Sequence, residues 1–325
     1  MEPDLSAALL QVSGLSVQFE GRRAWMRRAP PPLRAVQDVT FHIAPREIVG
    51  LVGESGSGKS TLARAILRLI DATSGSVRFE GVELLGLEGR ALKAMRRGMQ
   101  VIFQDPYASL NPRMTAGQNI AEGLLLQGQR GPQRLGAVAE LLHQVGLPKG
   151  AANRYPHEFS GGQRQRIGIA RALAVQPRLV IADEPVSALD MSIQAQILNL
   201  LLDQQEERGL ALLFIGHDLS VIRHVCDRVL VLYLGRIVES GTIDAVFGRP
   251  LHPYTRALID AAPVAHPTQR RERSLPGDQP SAIKGTTGCA FRSRCAYAMA
   301  ACGNDSPPLR QITPTHSVAC FRDDI

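Results

Sequence analysis

The chain has 325 residues, of which 44% are hydrophobic and 21% are charged, so its composition is that of an ordinary globular protein with a sizeable core. No apolar run approaches the roughly 18 residues needed to span a bilayer, and the N-terminus carries no signal-peptide pattern. The formal net charge of +7 permits contact with nucleic acid, anionic lipid or a nucleotide, but it selects none of them. We therefore expect a cytoplasmic protein with one large domain and an appendage.

Two strand-like segments open the chain, with a basic loop between them. Residues 8–19 alternate roughly as a strand and end at Phe19, and residues 34–43 resume the pattern. We interpret the loop as a solvated hairpin connection, with contact to a membrane partner or to lipid headgroups as the functional alternative. Its arginines and prolines are Arg22, Arg23, Arg27, Arg28, Pro30, Pro31 and Pro32.

The next stretch has the pattern of a phosphate-binding loop. Residues 48–52 indicate a buried strand and residues 60–70 a helix, and the sequence that joins them fits G-x-x-x-x-G-K-[ST]. Its glycines let backbone amides approach phosphate oxygens, while Lys59 would reach the β and γ phosphates and the Ser60 hydroxyl would bind Mg²⁺. A Gly/Ser-rich turn that matches by chance is the alternative. The residues of the loop are Gly53, Glu54, Ser55, Gly56, Ser57, Gly58, Lys59, Ser60 and Thr61.

A helical region follows, and it carries a second candidate anion site. A short apolar strand stops at Gln104, whose amide can bind Mg²⁺ and water. The pattern over about residues 105–175 then predicts a helical insertion in an α/β core. Near its end, Ser160 is a plausible N-cap, and the glycines behind it leave the backbone open to a phosphate. Because one nucleotide needs only one phosphate loop, this second site suggests a site shared between two chains. The segment is Ser160, Gly161, Gly162 and Gln163.

Two carboxylates end the next buried strand. Residues 179–184 are four apolar residues followed by Asp183 and Glu184, at the strand end where open α/β sheets place their ligands. Asp183 suits Mg²⁺ coordination, and Glu184 suits activation of a water as general base. Two acids that serve solubility are the alternative. Further along, Asp190 lies in a turn, and His217 ends another buried strand, where we expect a contact with the γ phosphate rather than a purely structural histidine.

The C-terminal region differs in composition. Prolines punctuate the chain after residue 247, as in a linker or an extended tail, and they include Pro263, Pro267, Pro276 and Pro280. Four clustered cysteines then suggest a metal site in a cytoplasmic protein, whereas Cys226 lies with Ile222 and Val225 on an apolar helix face and is expected in the core. An iron–sulfur cluster, a zinc ion and four buried thiols without metal all remain open. The cluster consists of Cys289, Cys295, Cys302 and Cys320.

Taken in order, these motifs resemble the ATP-binding subunits of ABC transporters. The resemblance implies an α/β phosphate-loop NTPase core with a RecA-like mixed sheet, an N-terminal antiparallel β subdomain, a helical ABC subdomain and a small Cys-rich C-terminal extension. The ATP-binding domain would cover residues 1–248 and the linker and tail residues 249–325. Phe19 would stack on adenine, since stacking needs only a ring face. The motifs are Walker A (53–61), the Q-loop (Gln104), the signature (160–163), Walker B (179–184), the D-loop (187–190) and the switch histidine (His217).

A narrower resemblance is to the dipeptide/oligopeptide and nickel importers. It is carried by residues 103–113 and 155–160, and by the tail from His252 to Cys320. It implies import of peptides, or of nickel or another small solute, driven by ATP with Mg²⁺. Implied partners are a second ABC ATPase subunit (homologous or identical), two transmembrane permease subunits and, indirectly, an extracytoplasmic solute-binding protein, with no nucleic acid. The protein would lie at the cytoplasmic face of the inner membrane, and some relatives hold a [4Fe–4S] cluster in the same tail.

Two other function classes fit part of the pattern. A soluble ABC ATPase that acts on DNA or ribosomes is compatible with the charge, but such proteins usually carry two cassettes or a coiled-coil insertion. A phosphate-loop kinase would leave the segment 160–163 and His217 without a role. Peptide import therefore remains the first hypothesis.

Overall fold

The structure is a computed structural model that describes residues 8–20, 31–187, 189–261 and 288–322. The basic loop at 21–30, Ala188 of the D-loop and the proline-rich stretch from Pro263 to Pro280 lie outside the described residues. The chain divides into two compact units. The first comprises residues 1–43, 48–85 and 216–325, and the second comprises residues 44–47 and 86–215.

The described residues form twelve strands and eleven α-helices. The strands are β1 (Leu10–Phe19), β2 (Leu33–Ile43), β3 (Ile48–Val52), β4 (Ser74–Phe79), β5 (Val82–Glu83), β6 (Met99–Ile102), β7 (Leu179–Asp183), β8 (Ala211–Ile215), β9 (Arg228–Tyr233), β10 (Arg236–Thr242), β11 (Arg310–Thr313) and β12 (His316–Val318). The helices are α1 (Lys59–Ile66), α2 (Gly89–Gly98), α3 (Pro106–Ser109), α4 (Ala116–Leu126), α5 (Gly131–Gln144), α6 (Gly161–Leu173), α7 (Met191–Arg208), α8 (Leu219–Val225), α9 (Ile243–Gly248), α10 (Pro253–Ala261) and α11 (Ala301–Asn304). In the described ranges, none of these helices is long and apolar enough to cross a membrane.

The first unit contains an antiparallel sheet in the order β2-β1-β4-β5. Leu10 lies opposite Ile43 on one side and opposite Phe79 on the other, so its side chain is fully buried. The alternating apolar residues of β1 point to one face, as the period of two in a strand requires. This sheet is the N-terminal β subdomain, and Phe19 is the last residue of its central strand.

The same unit contains a mixed group of strands that joins the tail to the core. β3 runs parallel to β9, and β9 turns back into the antiparallel β10 through Leu234 and Gly235. β12 and then β11 extend this group antiparallel beyond β10, with Glu239 opposite Val318. The sequence predicted a Cys-rich tail here without assigning strands to it, and residues 310–318 form a hairpin that continues this group of strands.

The second unit is built on three parallel strands in the order β6-β7-β8, with Leu179 opposite both Met99 and Ala211. β7 and β8 are buried throughout, which accounts for their unbroken apolar runs. The helices α3 to α6 occupy the segment predicted as a helical insertion. α4 packs against α5 and α6, and α4 begins with a capping box formed by Thr115 and Gln118.

Most predicted elements are present, with small differences at their ends. α1 stops at Ile66 rather than near residue 70, because Arg68 adopts a left-handed backbone with φ of 57°. Cys226 is buried as predicted, although it is the residue that follows α8 rather than a member of the helix.

Candidate ATP-hydrolysing site

The phosphate loop joins the end of β3 to the start of α1. Gly58 precedes the helix in a left-handed conformation with φ of 105°, and no side chain caps this helix end. A Cβ atom at Gly58 would lie 2.2 Å from the Ala35 carbonyl oxygen, so only glycine fits here. The result is a helix N-terminus whose first amides and positive dipole end suit an anion.

Inside the loop, the Glu54 carbonyl accepts hydrogen bonds from two donors. Lys59 is 6% exposed, and its Nζ donates to the Gly53 carbonyl at 2.7 Å and to the Glu54 carbonyl at 2.9 Å. The Ser57 N–H also donates to the Glu54 carbonyl, at 3.1 Å. The loop is therefore already folded around its lysine, which lowers the ordering cost of binding a phosphate.

Residues of the C-terminal region hold Glu54 in place. The Glu54 N–H donates to the Tyr254 hydroxyl at 2.8 Å, and the Arg294 guanidinium donates to both oxygens of the Glu54 carboxylate at 2.7 and 2.9 Å. Arg294 lies 240 positions along the chain from Glu54, and sequence reasoning gave neither Arg294 nor Tyr254 a role. The one sequence signal was Glu54 itself, because an acidic side chain inside an anion-binding loop needs a nearby cation to offset its charge.

Two further predicted residues of the first unit are exposed. Phe19 ends β1 with 42% of its surface accessible, so a ring face is open for stacking. His217 is exposed and directly precedes Asp218, whose carboxylate caps α8 by accepting from the Ser220 N–H at 2.8 Å. Both side chains are accessible to a ligand from solvent.

The second unit brings Gln104 and Glu184 together. The Gln104 amide donates from Nε2 to Glu184 Oε2 at 2.8 Å. Glu184 follows the buried Asp183 at the end of β7 and has a left-handed backbone with φ of 48°. A non-glycine residue in this region costs about 1–3 kcal/mol, and such strain is concentrated at functional sites. Carboxylate and amide oxygens of this kind fit Mg²⁺ and an attacking water.

The signature segment forms the N-terminus of α6. Ser160 is its N-cap, as predicted, because its hydroxyl accepts from the Gln163 N–H at 3.4 Å and the Gln163 side chain accepts from the Ser160 N–H at 3.1 Å. A Cβ atom at Gly162 would lie 2.5 Å from Ile193 Cγ2 of α7, so this position needs glycine for close helix packing. Asp190 precedes α7 with its side chain exposed and not engaged as a helix cap.

The four tail cysteines line one pocket. Cys289, Cys295, Cys302 and Cys320 all border it, and the Cys289 N–H donates to the Cys302 carbonyl at 2.9 Å. Burial raises the pKa of the Cys289 thiol to about 11, and the neighbouring thiols act in the same direction. No group of three or more His, Cys, Asp or Glu side chains in the described ranges is arranged to hold a metal ion. The cysteines are therefore gathered without forming a closed ion site.

A phosphate loop, a strand-end Asp–Glu pair with a glutamine, and a capped Gly-Gly helix end define the class of ABC-type ATPases. A family model described as ABC transporter matches residues 36–187, and one described as Oligopeptide/dipeptide transporter, C-terminal region, matches residues 238–302. The chain belongs to the ABC transporter family, because it also shares 52% identity, over 98% of its length, with a protein named for ATP binding in peptide import. The predicted ATPase class is thereby confirmed.

The relatives agree with the narrower resemblance as well. The member at 52% identity is a protein of Brucella ovis named as a peptide import ATP-binding protein, of which the chain covers 98%. The oligopeptide transport ATP-binding protein OppF of Escherichia coli is 50% identical, with 97% of this chain and 96% of that protein covered. Among solved structures, the dimeric cassette MJ0796 in a post-hydrolysis state with ADP and Pi has a TM-score of 0.64 at 29% identity, covering 72% of this chain and 98% of that one. This likeness confirms the predicted ABC ATPase fold of the cassette, whereas the Cys-rich C-terminal extension stays a prediction.

Proposed function

We propose that this chain is the ATP-hydrolysing subunit of a peptide importer. The observation that carries the proposal is the tail, since residues 238–302 match the oligopeptide/dipeptide transporter C-terminal region and relatives named for peptide import align over nearly the whole chain. Import of nickel or another small solute is the second candidate, because the predicted motifs are shared by both groups of importers. An ATPase acting on DNA or ribosomes has no comparable support.

In the proposed reaction, the phosphate loop holds the nucleotide and Phe19 stacks on adenine. The Lys59 ammonium group binds the β and γ phosphates. The main-chain amides of residues 53–61 would surround the phosphate oxygens, and the Ser60 hydroxyl would hold Mg²⁺. The predicted loop therefore supplies both the charge and the hydrogen-bond donors that a triphosphate needs.

Glu184 is the general base of this proposal. Its carboxylate takes a proton from the attacking water, the water oxygen bonds to the γ phosphorus, and ADP leaves with the electrons of the broken P–O bond. The hydrogen bond from Gln104 orients the carboxylate. Gln104 and Asp183 would also hold Mg²⁺, and His217 would contact the γ phosphate. All of these assignments extend the sequence predictions.

The signature residues serve a second nucleotide in this proposal. Ser160, Gly161, Gly162 and Gln163 would contact ATP bound by a partner ATPase chain, identical or homologous, with Asp190 at the interface. In support, the similar cassette MJ0796 is described as a dimer. Two such chains would close on two ATP molecules and move a pair of transmembrane permease subunits at the cytoplasmic face of the inner membrane. A solute-binding protein would deliver the peptide from outside.

The tail cysteines are proposed as ligands of a metal centre. Four Cys thiolates are the donor set of an iron–sulfur cluster, and all four cysteines line one pocket, but the described residues contain no group already arranged as a metal site. Such a centre would cross-link a short tail that has too few apolar residues to form a core of its own. Zinc and metal-free buried thiols are the alternatives.

Reconstitution of the chain with its two permease subunits tests the transport proposal. ATP-driven uptake of labelled peptides, abolished by Glu184→Gln, is the expected result. Uptake of nickel without uptake of peptides would move the assignment to the second candidate. A chain that fails to co-purify with any membrane subunit, and that binds nucleic acid instead, would contradict both.

Anaerobic purification followed by iron, sulfide and zinc analysis tests the metal proposal. Wild type and Cys226→Ser should carry the same metal, because the buried Cys226 does not line the cysteine pocket, while Cys302→Ser should lose it. A colourless, metal-free wild-type protein with four titratable tail thiols would contradict the proposal.

A further inference from the structure

The phosphate loop contains a carboxylate whose charge is neutralised from the tail. Glu54 is the second residue of the loop, and both of its carboxylate oxygens accept from Arg294 in a fork at 2.7 and 2.9 Å. The Arg294 side chain is 5% exposed and the Glu54 side chain 21% exposed. A bidentate pair with so little water around it is stronger and more directional than a surface ion pair.

The main chain of Glu54 is held at both ends. Its N–H donates to Tyr254, which is fully buried, and its carbonyl accepts from Lys59 Nζ at 2.9 Å. Burial raises the pKa of the Tyr254 phenol, so this group stays neutral at physiological pH and accepts the hydrogen bond without adding a second negative charge. Any movement of Glu54 therefore also moves the carbonyl that accepts the hydrogen bond from Lys59.

Aromatic packing fixes Arg294 itself. The short helix Arg292–Arg294 follows Phe291, which is 2% exposed and packs edge-on against Tyr233 at the end of β9, with ring centroids 5.3 Å apart. Phe291 also lies 5.4 Å from the Tyr254 ring. Cys295 follows Arg294 directly, so the cysteine-lined pocket and the fork belong to one local structure.

The charge of Glu54 matters because of what the loop binds. An unpaired carboxylate in the residue that holds Lys59 would repel an anionic triphosphate and would also compete for the lysine charge. Like charges held a few ångströms apart in a partly desolvated site repel each other, so removing the compensating cation weakens anion binding.

We propose that Arg294 is a positioning residue for the ATP site: the Cys-rich tail neutralises and holds Glu54, and this keeps the phosphate loop able to bind MgATP. The inference rests on the proposed role of the phosphate loop. It gives the tail a function in nucleotide binding, in addition to any metal that the cysteines hold.

The test is MgATP binding to the purified full-length chain, measured by calorimetry at low and high salt. Arg294→Ala should weaken binding about tenfold at low salt, equivalent to about 1.4 kcal/mol, and less at high salt because salt screens the repulsion. Arg294→Ala combined with Glu54→Gln should restore binding to within about threefold of wild type, since the unpaired charge is gone. Arg294→Lys keeps the charge and should also stay within about threefold.

Arg292→Ala is the matched control, because Arg292 belongs to the same short helix but donates to the Gly303 carbonyl at 2.8 Å. It should bind MgATP as the wild type does. The proposal is overturned if Arg294→Ala binds normally, or if the double variant binds no better than Arg294→Ala. Failure of the phosphate-loop assignment itself is separately visible, because Lys59→Ala would then also bind MgATP normally.

Discussion

Two helices of this protein begin with glycine-rich segments predicted to meet phosphate, and their N-termini are built differently. α1 follows Gly58, which adopts a left-handed conformation and leaves the helix end without a side-chain cap. α6 follows Ser160, whose hydroxyl accepts a hydrogen bond from the Gln163 N–H while the Gln163 side chain accepts one from the Ser160 N–H. One end is prepared for an outside anion, and the other is satisfied by its own residues.

This difference matches the two roles proposed for the segments. The phosphate loop would bind nucleotide in the single chain, so its amides must be available before assembly. The signature segment would meet a phosphate only when a partner chain brings one, and until then the capping box stabilises α6 by about 1 kcal/mol. Binding of the partner's nucleotide would exchange the weak 3.4 Å Ser160–Gln163 hydrogen bond for a charge-assisted one.

The largest expected effect separates hydrolysis from binding. Glu184→Gln removes the base but keeps a side chain that can still accept from Gln104, so ATP turnover of the transport complex should fall by about 10²-fold or more. MgATP affinity should stay near that of wild type. Single-turnover hydrolysis measures the first quantity and calorimetry the second. Ordinary turnover in this variant would rule out Glu184 as the base.

Lys59→Ala should sharpen the comparison by disabling the open helix end. Removing the charge that reaches the phosphates is expected to weaken MgATP binding by about 10–100-fold, which is about 1.4–2.7 kcal/mol and close to the value typical of a hydrogen bond to a charged group. Lys93→Ala removes an exposed lysine of α2 and serves as the control for net charge. Equal affinities of the two variants would contradict the phosphate-loop assignment.

Glycine substitutions test the packing at the capped helix end. Gly162→Ala would place a Cβ atom 2.5 Å from Ile193, so we expect a loss of about 1–3 kcal/mol in the free energy of unfolding. Gly161→Ala is the matched control, because its Cβ atom would have only an ordinary contact of 3.5 Å with Leu189. Denaturant-induced unfolding of the two full-length variants measures the two free energies of unfolding. A Gly162→Ala protein as stable as Gly161→Ala would mean that α6 and α7 adjust freely.

The smallest expected effect concerns recognition of the adenine ring. Phe19→Ala should raise the Michaelis constant for ATP by about 3–10-fold, the value of one stacking contact, whereas Phe19→Tyr should change it little because the ring face is kept. Steady-state ATPase kinetics of the transport complex measure both. If the alanine variant keeps the wild-type constant, the exposed ring stacks on something other than adenine.

The sequence predicted those parts of the molecule in which local pattern and structure agree. The strands around the phosphate loop, the cap at Ser160 and the buried strand before Glu184 follow from periodicity and residue type. The left-handed backbone of Glu184 could not be predicted, since a strained conformation is imposed by the surrounding fold rather than by local preference.

The tail was the least predictable region. The pairing of β12 with β10 depends on the short hairpin 310–318, whose sequence shows no strong alternation of apolar and polar residues. Arg294 contacts Glu54, which lies 240 residues earlier in the chain. Spacing within a motif carries no information on such contacts. The cysteines could be predicted as a cluster, but their common pocket became apparent only in three dimensions.

The central claim is that α1 serves the nucleotide of its own chain and α6 the nucleotide of a partner chain. The most direct test uses the full-length Ser160→Ala variant and measures MgATP binding by the isolated chain and ATP turnover by the assembled transporter. The account predicts wild-type affinity in the isolated chain, because Ser160 serves a nucleotide held by the partner, together with a clear loss of turnover after assembly. A loss of affinity in the isolated chain as large as that of Lys59→Ala would contradict the account and would place Ser160 at the nucleotide of its own chain.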